Sequence, residues 1–267
     1  MSTRRGDPIY GAAVGAGRLL FGFLRVRPHV VGAENLPTSG GAVLAITHFG
    51  YMDFALVEWM MWKNNKRHIR FLAQKAAFDK PVVGFLMRGM RHISVDMAAG
   101  AEAYTAAVAA LRDGEVLGVF PEGGVSASMT VRELKSGAVR MAVEAGVPVV
   151  PIAVWGGHRL LTKKAKSSFA EKFGIPVSYA IGAPMEVDAH TDVAAATVAL
   201  RSTLQALLDP LQAGYPIDGS GKPWQPAHLG GTAPTPEVAA VEEAARQLRK
   251  AKQRRENELE AARKNKR

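Results

Sequence analysis

The stretch Ala42-Val43-Leu44-Ala45-Ile46-Thr47-His48-Phe49-Gly50-Tyr51-Met52-Asp53 is an apolar run that stops at a histidine, with an aspartate after four intervening residues. A short continuous apolar run bounded in this way predicts a strand, Ala42–Thr47, buried on both faces. The residues after it, Asp53–Lys63, carry helical patterning, so the segment reads as a strand-to-helix turn in which Gly50 allows a tight bend. On a regular helix the two polar residues would fall on different faces. At a turn, Asp53 in the first helical turn can reach back to the imidazole of His48. A carboxylate that accepts from one ring nitrogen fixes the tautomer and leaves the other nitrogen as a base. The same pair could equally do no more than cap a helix.

Working outward, the pattern repeats. Further strands are predicted at Ile69–Ala73, His92–Val95, Val116–Phe120, Val149–Val154 and Val177–Ile181, and helices at Pro81–Gly89, Gly100–Arg112, Arg132–Glu144 and Val193–Leu211. Apolar strands alternating with helices predict an α/β domain, with a mainly parallel central sheet flanked by helices, over residues 30–213. Upstream, residues 1–29 frame an apolar stretch, Ile9 to Leu24, in which Tyr10, Val14, Phe21 and Leu24 share one helical face. It is short and Gly-rich for a membrane span, and Arg25-Val26-Arg27-Pro28 is a poor cleavage site for a signal peptide. It reads either as a helix packed on the domain or as an interfacial helix with arginines at lipid phosphates. Downstream, the Gly- and Pro-rich residues 214–236 read as a linker, and 237–267 as a charged helical extension whose end frays.

The composition narrows the partners. The chain has 267 residues, 48% of them hydrophobic and 22% charged, which is ample for a buried core. It has no cysteine, which excludes disulfide scaffolds, thiolate metal sites and cysteine nucleophiles, and is consistent with a reducing compartment. The net charge of +10 favours an anionic partner. That charge is concentrated in three places. Residues 1–29 hold five Lys/Arg and one acidic residue, 63–91 hold eight and one, and 237–267 hold ten and six. Elsewhere acidic residues predominate, sixteen to eleven, which does not suit a nucleic-acid-binding face.

Two more blocks accompany the His48 turn. Gly118-Val119-Phe120-Pro121-Glu122-Gly123-Gly124 ends an apolar strand with a carboxylate on a Gly-rich turn, and Val147-Pro148-Val149-Val150-Pro151-Ile152 opens a late strand with proline. The order and spacing of these blocks resemble the 1-acylglycerol-3-phosphate acyltransferase family, whose marks are an H-x-x-x-x-D block, an F-P-E-G block and a late V-P-I/V strand. Lys75 to Met97, with Ile93-Ser94-Val95-Asp96, looks like its remaining block, and the resemblance covers roughly residues 30–185.

The resemblance implies transfer of a fatty acyl group from acyl-CoA or acyl carrier protein to the free hydroxyl of 1-acylglycerol-3-phosphate, giving phosphatidic acid for phospholipid synthesis. His48 would be the general base, Asp53 its support, and attack on the thioester would be direct. Glu122 would help to hold the acceptor, and backbone N–H groups at Gly123 and Gly124 would stabilise the oxyanion. No metal and no cofactor beyond the acyl donor is implied. The implied partner is an anionic membrane surface and the implied location its cytoplasmic face, with peripheral or monotopic association.

The chain departs from the family pattern at two arginines, which are replaced by Val125 and Met97. Lys75, Arg88, Arg91 and His92 in the basic block, with Arg132 and Lys135 after the F-P-E-G turn, are the candidate replacements for gripping a phosphate. Singly each reads as surface charge; Lys135, in Lys135-Ser136-Gly137, matches a family element and is the best of them. The stretch Gly124-Val125-Ser126-Ala127-Ser128 lacks the final Gly of a hydrolase elbow, and His68, His92, His158, His190 and His228 show no metal-ligand spacing. Trp59, Trp62 and Met60-Met61 read as core that could also line an acyl tunnel or meet lipid. Alternatives are an acyltransferase with another lysophospholipid or a glycolipid as acceptor, a silent lipid-binding module, and a basic nucleic-acid-binding protein.

Overall fold

The computed structural model describes residues 8–96, 100–161 and 170–264. Arg4 and Arg5, Met97 and the end of the basic tail therefore lie outside the described residues. One compact unit comprises residues 1–125 and 131–218, and a second comprises 126–130 and 219–267.

The first unit is built on a seven-stranded sheet. Its elements in chain order are α1 (Pro8–Phe23), β1 (Arg27–Val31), β2 (Ala42–Ile46), α2 (Asp53–Asn65), β3 (Ile69–Gln74), α3 (Lys75–Phe78), α4 (Pro81–Gly89), β4 (Ile93–Val95), α5 (Gly100–Arg112), β5 (Val116–Val119), α6 (Gly137–Ala145), β6 (Val149–Trp155), β7 (Pro176–Ile181) and α7 (Val193–Ala213). The strand order is β1-β7-β6-β2-β5-β3-β4. Every neighbouring pair is parallel except β6 with β7, so the sheet is mainly parallel, as the apolar runs predict. The central strands β2 and β6 are buried along their whole length, because helices cover both faces.

Departures from the sequence reading include β1 and α6. β1 was not foreseen: its residues alternate between exposed and half-buried, and it pairs only with β7 at the sheet edge, where Pro28 is tolerated. α6 starts at Gly137 rather than Arg132. The backbone N–H groups of Arg132 and Lys135 are drawn to Glu122 and to the Pro121 carbonyl, so helical bonding begins only beyond them.

α1 belongs to the same unit as the sheet. Its buried face carries Tyr10, Val14 and Phe21, and the Tyr10 hydroxyl is shared between the Glu58 carboxylate, at 2.8 Å, and the Ile69 carbonyl. Glu58 also accepts from the Ile69 N–H at 2.9 Å, so a polar network fixes α1 to α2 and β3. The buried face meets the reading of a helix packed on the domain, and the opposite side leaves Leu19, Leu20 and Phe23 exposed. No helix among the described residues is long and apolar enough to cross a membrane.

The Gly/Pro segment 214–236 is not a free linker. Residues 214–218 belong to the first unit, where the Tyr215 hydroxyl donates to the Pro176 carbonyl at 2.9 Å. In the second unit, Gly221 N–H donates to Gly230 O and Thr232 N–H to Lys222 O, a folded turn that precedes the long helix α8 (Pro236–Lys264). Proline and glycine mark turns as readily as linkers, and composition alone does not separate the two.

Candidate active site

The end of β2 is held on its neighbour, since Thr47 N–H donates to Ile152 O at 3.1 Å and Val154 N–H to the Thr47 hydroxyl at 2.9 Å. This places His48 at the rim of the sheet, where helices no longer cover the strands. The chain then folds back into α2, whose first residue is Asp53. A single oxygen, Asp53 Oδ2, accepts from Phe49 N–H and Gly50 N–H at 2.8 Å each and lies 3.1 Å from His48 Nδ1. Asp53 is 2% exposed. An ionised carboxylate only accepts, so Nδ1 carries the proton and Nε2 presents a lone pair. The His48 ring is further fixed by stacking on Phe120, with centroids 4.2 Å apart.

Gly50 is required at this turn because a Cβ there would lie 2.6 Å from the Cα of His158. Gly50→Ala is expected to destabilise the fold by about 1–3 kcal/mol through overpacking against main chain, seen as a lowered thermal midpoint. An unchanged midpoint would mean the turn yields freely. His158 itself is fully buried, and burial pushes its pKa down to about 3, so it sits neutral behind the turn.

The F-P-E-G turn meets the same point from β5, the neighbour of β2. Glu122 is 4% exposed. Its Oε1 accepts from His48 N–H at 3.0 Å and its Oε2 from Arg132 N–H at 3.1 Å. Burial raises the carboxyl to about 7, against the two N–H groups, which favour the charged form. Both oxygens are thus engaged by main chain. The carboxylate ties the backbone at His48 to that at Arg132, a role that the sequence reading did not assign to it. The oxyanion expectation is revised in part. Gly123, at φ +70°, donates its N–H to the Phe120 carbonyl at 3.0 Å, which leaves the Gly124 N–H as the available donor of the two.

A cavity of about 220 Å3 opens beside His48. Tyr51, Phe54, Phe71 and Phe120 wall it with aromatic rings, and His92 is its other imidazole. Trp59, Trp62 and the Met60-Met61 pair are not part of it. Met60 and Met61 are buried in the core, Trp59 meets Phe21, and Trp62 lies under Arg18 and Lys66.

Of the basic residues expected to grip a phosphate, the fold brings two to this site. Lys135 extends over the F-P-E-G turn, its Nζ 3.1 Å from where a Cβ on Gly123 would lie. Arg132, tied to Glu122 by its N–H, holds its guanidinium 3.4 Å from the Gly124 carbonyl. The others have their partners elsewhere: Lys75 pairs with Asp79 at 3.2 Å, Arg88 donates to the Phe78 carbonyl at 2.9 Å, and Arg91 lies 3.9 Å from Glu115. None of these three lines the cavity. His92 is buried and neutral, its pKa pushed down to about 4 by burial and by nearby Arg70, so it is no phosphate cation. The cavity wall at Phe71 and Phe120 was missed by the sequence reading, since apolar residues in buried strands carry no mark of which space they face.

Among the described residues, no group of three His, Cys, Asp or Glu is placed to hold a metal ion. Ser126 is buried, and its hydroxyl donates to the Thr130 carbonyl at 2.8 Å, as an ordinary turn residue does.

Comparisons with known proteins agree with this geometry. A family profile described as Acyltransferase matches residues 27–155, which include His48, Asp53 and the F-P-E-G turn. The chain is 30% identical over 146 residues to the 1-acyl-sn-glycerol-3-phosphate acyltransferase of Bacillus subtilis (strain 168), covering 54% of this chain and 71% of that protein. It is 28% identical over 183 residues to an uncharacterized protein of Mycobacterium bovis, 64% of this chain, and spans about half (49%) of that relative's length. The crystal structure of the 1-acyl-sn-glycerophosphate (LPA) acyltransferase PlsC from Thermotoga maritima superposes with a TM-score of 0.64 over 78% of this chain and 81% of that one. At 21% identity this likeness establishes the fold.

Proposed function

This chain belongs to the 1-acylglycerol-3-phosphate acyltransferase family, and on that premise we propose that it transfers a fatty acyl group from a thioester donor to the free hydroxyl of 1-acylglycerol-3-phosphate. The observation that carries the proposal is the His48–Asp53 pair, 3.1 Å apart, at the mouth of an aromatic-walled cavity. With Asp53 holding the Nδ1 proton, Nε2 takes the proton of the attacking hydroxyl as its oxygen bonds to the thioester carbon. The tetrahedral intermediate collapses by breaking the C–S bond, and the thiolate recovers the proton from the imidazolium. The Gly124 N–H is the donor for the developing oxyanion. No acyl-enzyme forms, because the acceptor alcohol is the nucleophile, and the chemistry needs no cofactor beyond acyl-CoA or acyl carrier protein.

Lys135 and Arg132 are the cations for the acceptor phosphate. Lys135→Ala is expected to raise KM for the acceptor tenfold or more, from a charge-assisted contact of about 1.5–3 kcal/mol, with a smaller change in kcat. An unaltered KM would remove Lys135 from the site. The exposed Leu19, Leu20 and Phe23 of α1, and Val82, Val83, Phe85 and Leu86 of α4, support seating on a membrane surface. Arg18, Lys63 and Lys66 lie over the Trp59 and Trp62 rings, a pairing of cation and indole suited to a headgroup layer on the cytoplasmic face.

Purified protein assayed against a panel of lysolipids with both donor types, products read by mass spectrometry, tests the whole reading. Formation of phosphatidic acid from 1-acylglycerol-3-phosphate supports it. Because Val125 leaves the turn without the family's arginine, a clear preference for a phosphate-free acceptor would replace it with an acyltransferase for a glycolipid.

A further inference from the structure

His92 is held in a way that the proposed reaction does not use. The residue is 8% exposed, and its ring sits edge-on to Phe71 and to Tyr10, with centroids 5.7 and 5.8 Å away. Its Nδ1 accepts the Phe71 backbone N–H at 3.1 Å. A neutral imidazole that accepts at Nδ1 carries its hydrogen on Nε2. Burial keeps this imidazole neutral, so the tautomer is set by β3 and the ring cannot exchange roles. Among the described residues no protein group accepts from Nε2.

That N–H belongs to a wall which is otherwise aromatic or aliphatic along Phe54, Phe71 and Phe120. Nε2 is not sealed off from the cavity, so a ligand oxygen placed against it makes the hydrogen bond that the described residues leave open. His48 opens on the same cavity, joined to His92 by adjoining rings: His48 stacks on Phe120, Phe120 on Phe71, and Phe71 meets His92 edge-on. A lipid whose reacting atoms lie at His48 and whose apolar body follows these rings passes the Nε2 hydrogen.

We propose that His92 is a substrate-binding residue, whose Nε2–H donates a hydrogen bond to an ester-type carbonyl oxygen of the lipid that fills the cavity. The inference rests on the acyl-transfer reading above. Two carbonyls have this chemistry, the ester already present on the acceptor and the thioester of the donor. A site that presents a donor in an otherwise apolar wall discriminates against an analogue lacking the acceptor oxygen, because an analogue that fills the cavity then leaves the donor unpaired.

The test compares wild type, His92→Phe and His92→Gln on two acceptors, 1-acylglycerol-3-phosphate and its 1-O-alkyl ether analogue, which lacks the carbonyl. Thermal unfolding is followed in parallel, because phenylalanine leaves the Phe71 N–H without its acceptor, while glutamine retains both an acceptor and a donor. For the acceptor ester, wild type is expected to favour the acyl compound roughly tenfold or more in kcat/KM, chiefly through KM. His92→Phe then brings the ratio close to one, and His92→Gln restores part of it. For the donor thioester, His92→Phe lowers kcat roughly tenfold or more on both acceptors alike, with recovery in His92→Gln. Unchanged ratio and kcat in His92→Phe, or a loss that follows thermal stability and is not recovered by glutamine, overturns the inference. A wild-type protein that acylates neither acceptor overturns the acyl-transfer reading on which it stands.

Discussion

Replacing His48 with alanine is expected to lower acyl transfer by roughly 10²–10⁴-fold, the contribution of a positioned general base, while the thermal midpoint moves little. The two effects separate because of how the pair is built. No main-chain group depends on the His48 side chain, which is 18% exposed and leans on Phe120. Asp53 is different. Besides His48 it accepts the Phe49 and Gly50 N–H groups. Asp53→Ala is therefore expected to lose activity and stability together, at about 1–3 kcal/mol for each orphaned N–H. Mass-spectrometric turnover beside circular-dichroism melts checks both variants. Undiminished transfer by His48→Ala would end the assignment of this residue as base.

The second large effect is expected at Glu122. Its truncation to alanine strands the His48 and Arg132 N–H groups in a buried turn. The cost is about 2–6 kcal/mol for the two donors, and at this chain length each kcal/mol lowers the thermal midpoint by about 2–4 °C. Activity is expected to fall with it, because the backbone at the base loses its anchor. Glu122 also gives stability a pH signature. Its pKa in the folded protein, about 7, lies above the ordinary 4.5, so the folded state holds the proton more tightly than the unfolded one. This contribution is fully present below about pH 4.5 and is lost as the pH rises through 7. From the size of the shift it amounts to about 3 kcal/mol. Glu122→Gln cannot titrate, so the stability advantage of wild type over this variant is expected to be largest near pH 4.5 and to shrink towards neutrality. Melting curves of the two proteins that ran parallel across that range would contradict it.

The parts of this site that were legible in the sequence are the local ones. His48 and Asp53 are five positions apart across a strand-to-helix turn, and chain connectivity alone brings them together. The apolar runs at β2 and β6 likewise announce a covered parallel sheet, because a strand buried on both faces has no room for polar side chains. β1 escaped because an edge strand covered on one side is free to carry Arg27, Pro28 and His29.

The basic block was legible only in part for a physical reason: a charge is visible in the sequence, whereas its partner is not. Of its phosphate candidates, Arg91 lies near Glu115, Lys75 pairs with Asp79 and Arg88 donates to the Phe78 carbonyl, while Arg67, which was no candidate, ties the Pro37, Gly40 and Gly114 carbonyls together. The sequence by itself determined the layered parallel fold and the meeting of His48 with Asp53, since both follow from short-range patterning. Only the tertiary structure decided that Glu122 anchors His48 across 74 residues, that His92 sits neutral in a cavity wall, and that Lys135 and Arg132 lie over the F-P-E-G turn. Each of these depends on β5 lying between β2 and β3, a strand order imposed by packing and carried by no local run of residues.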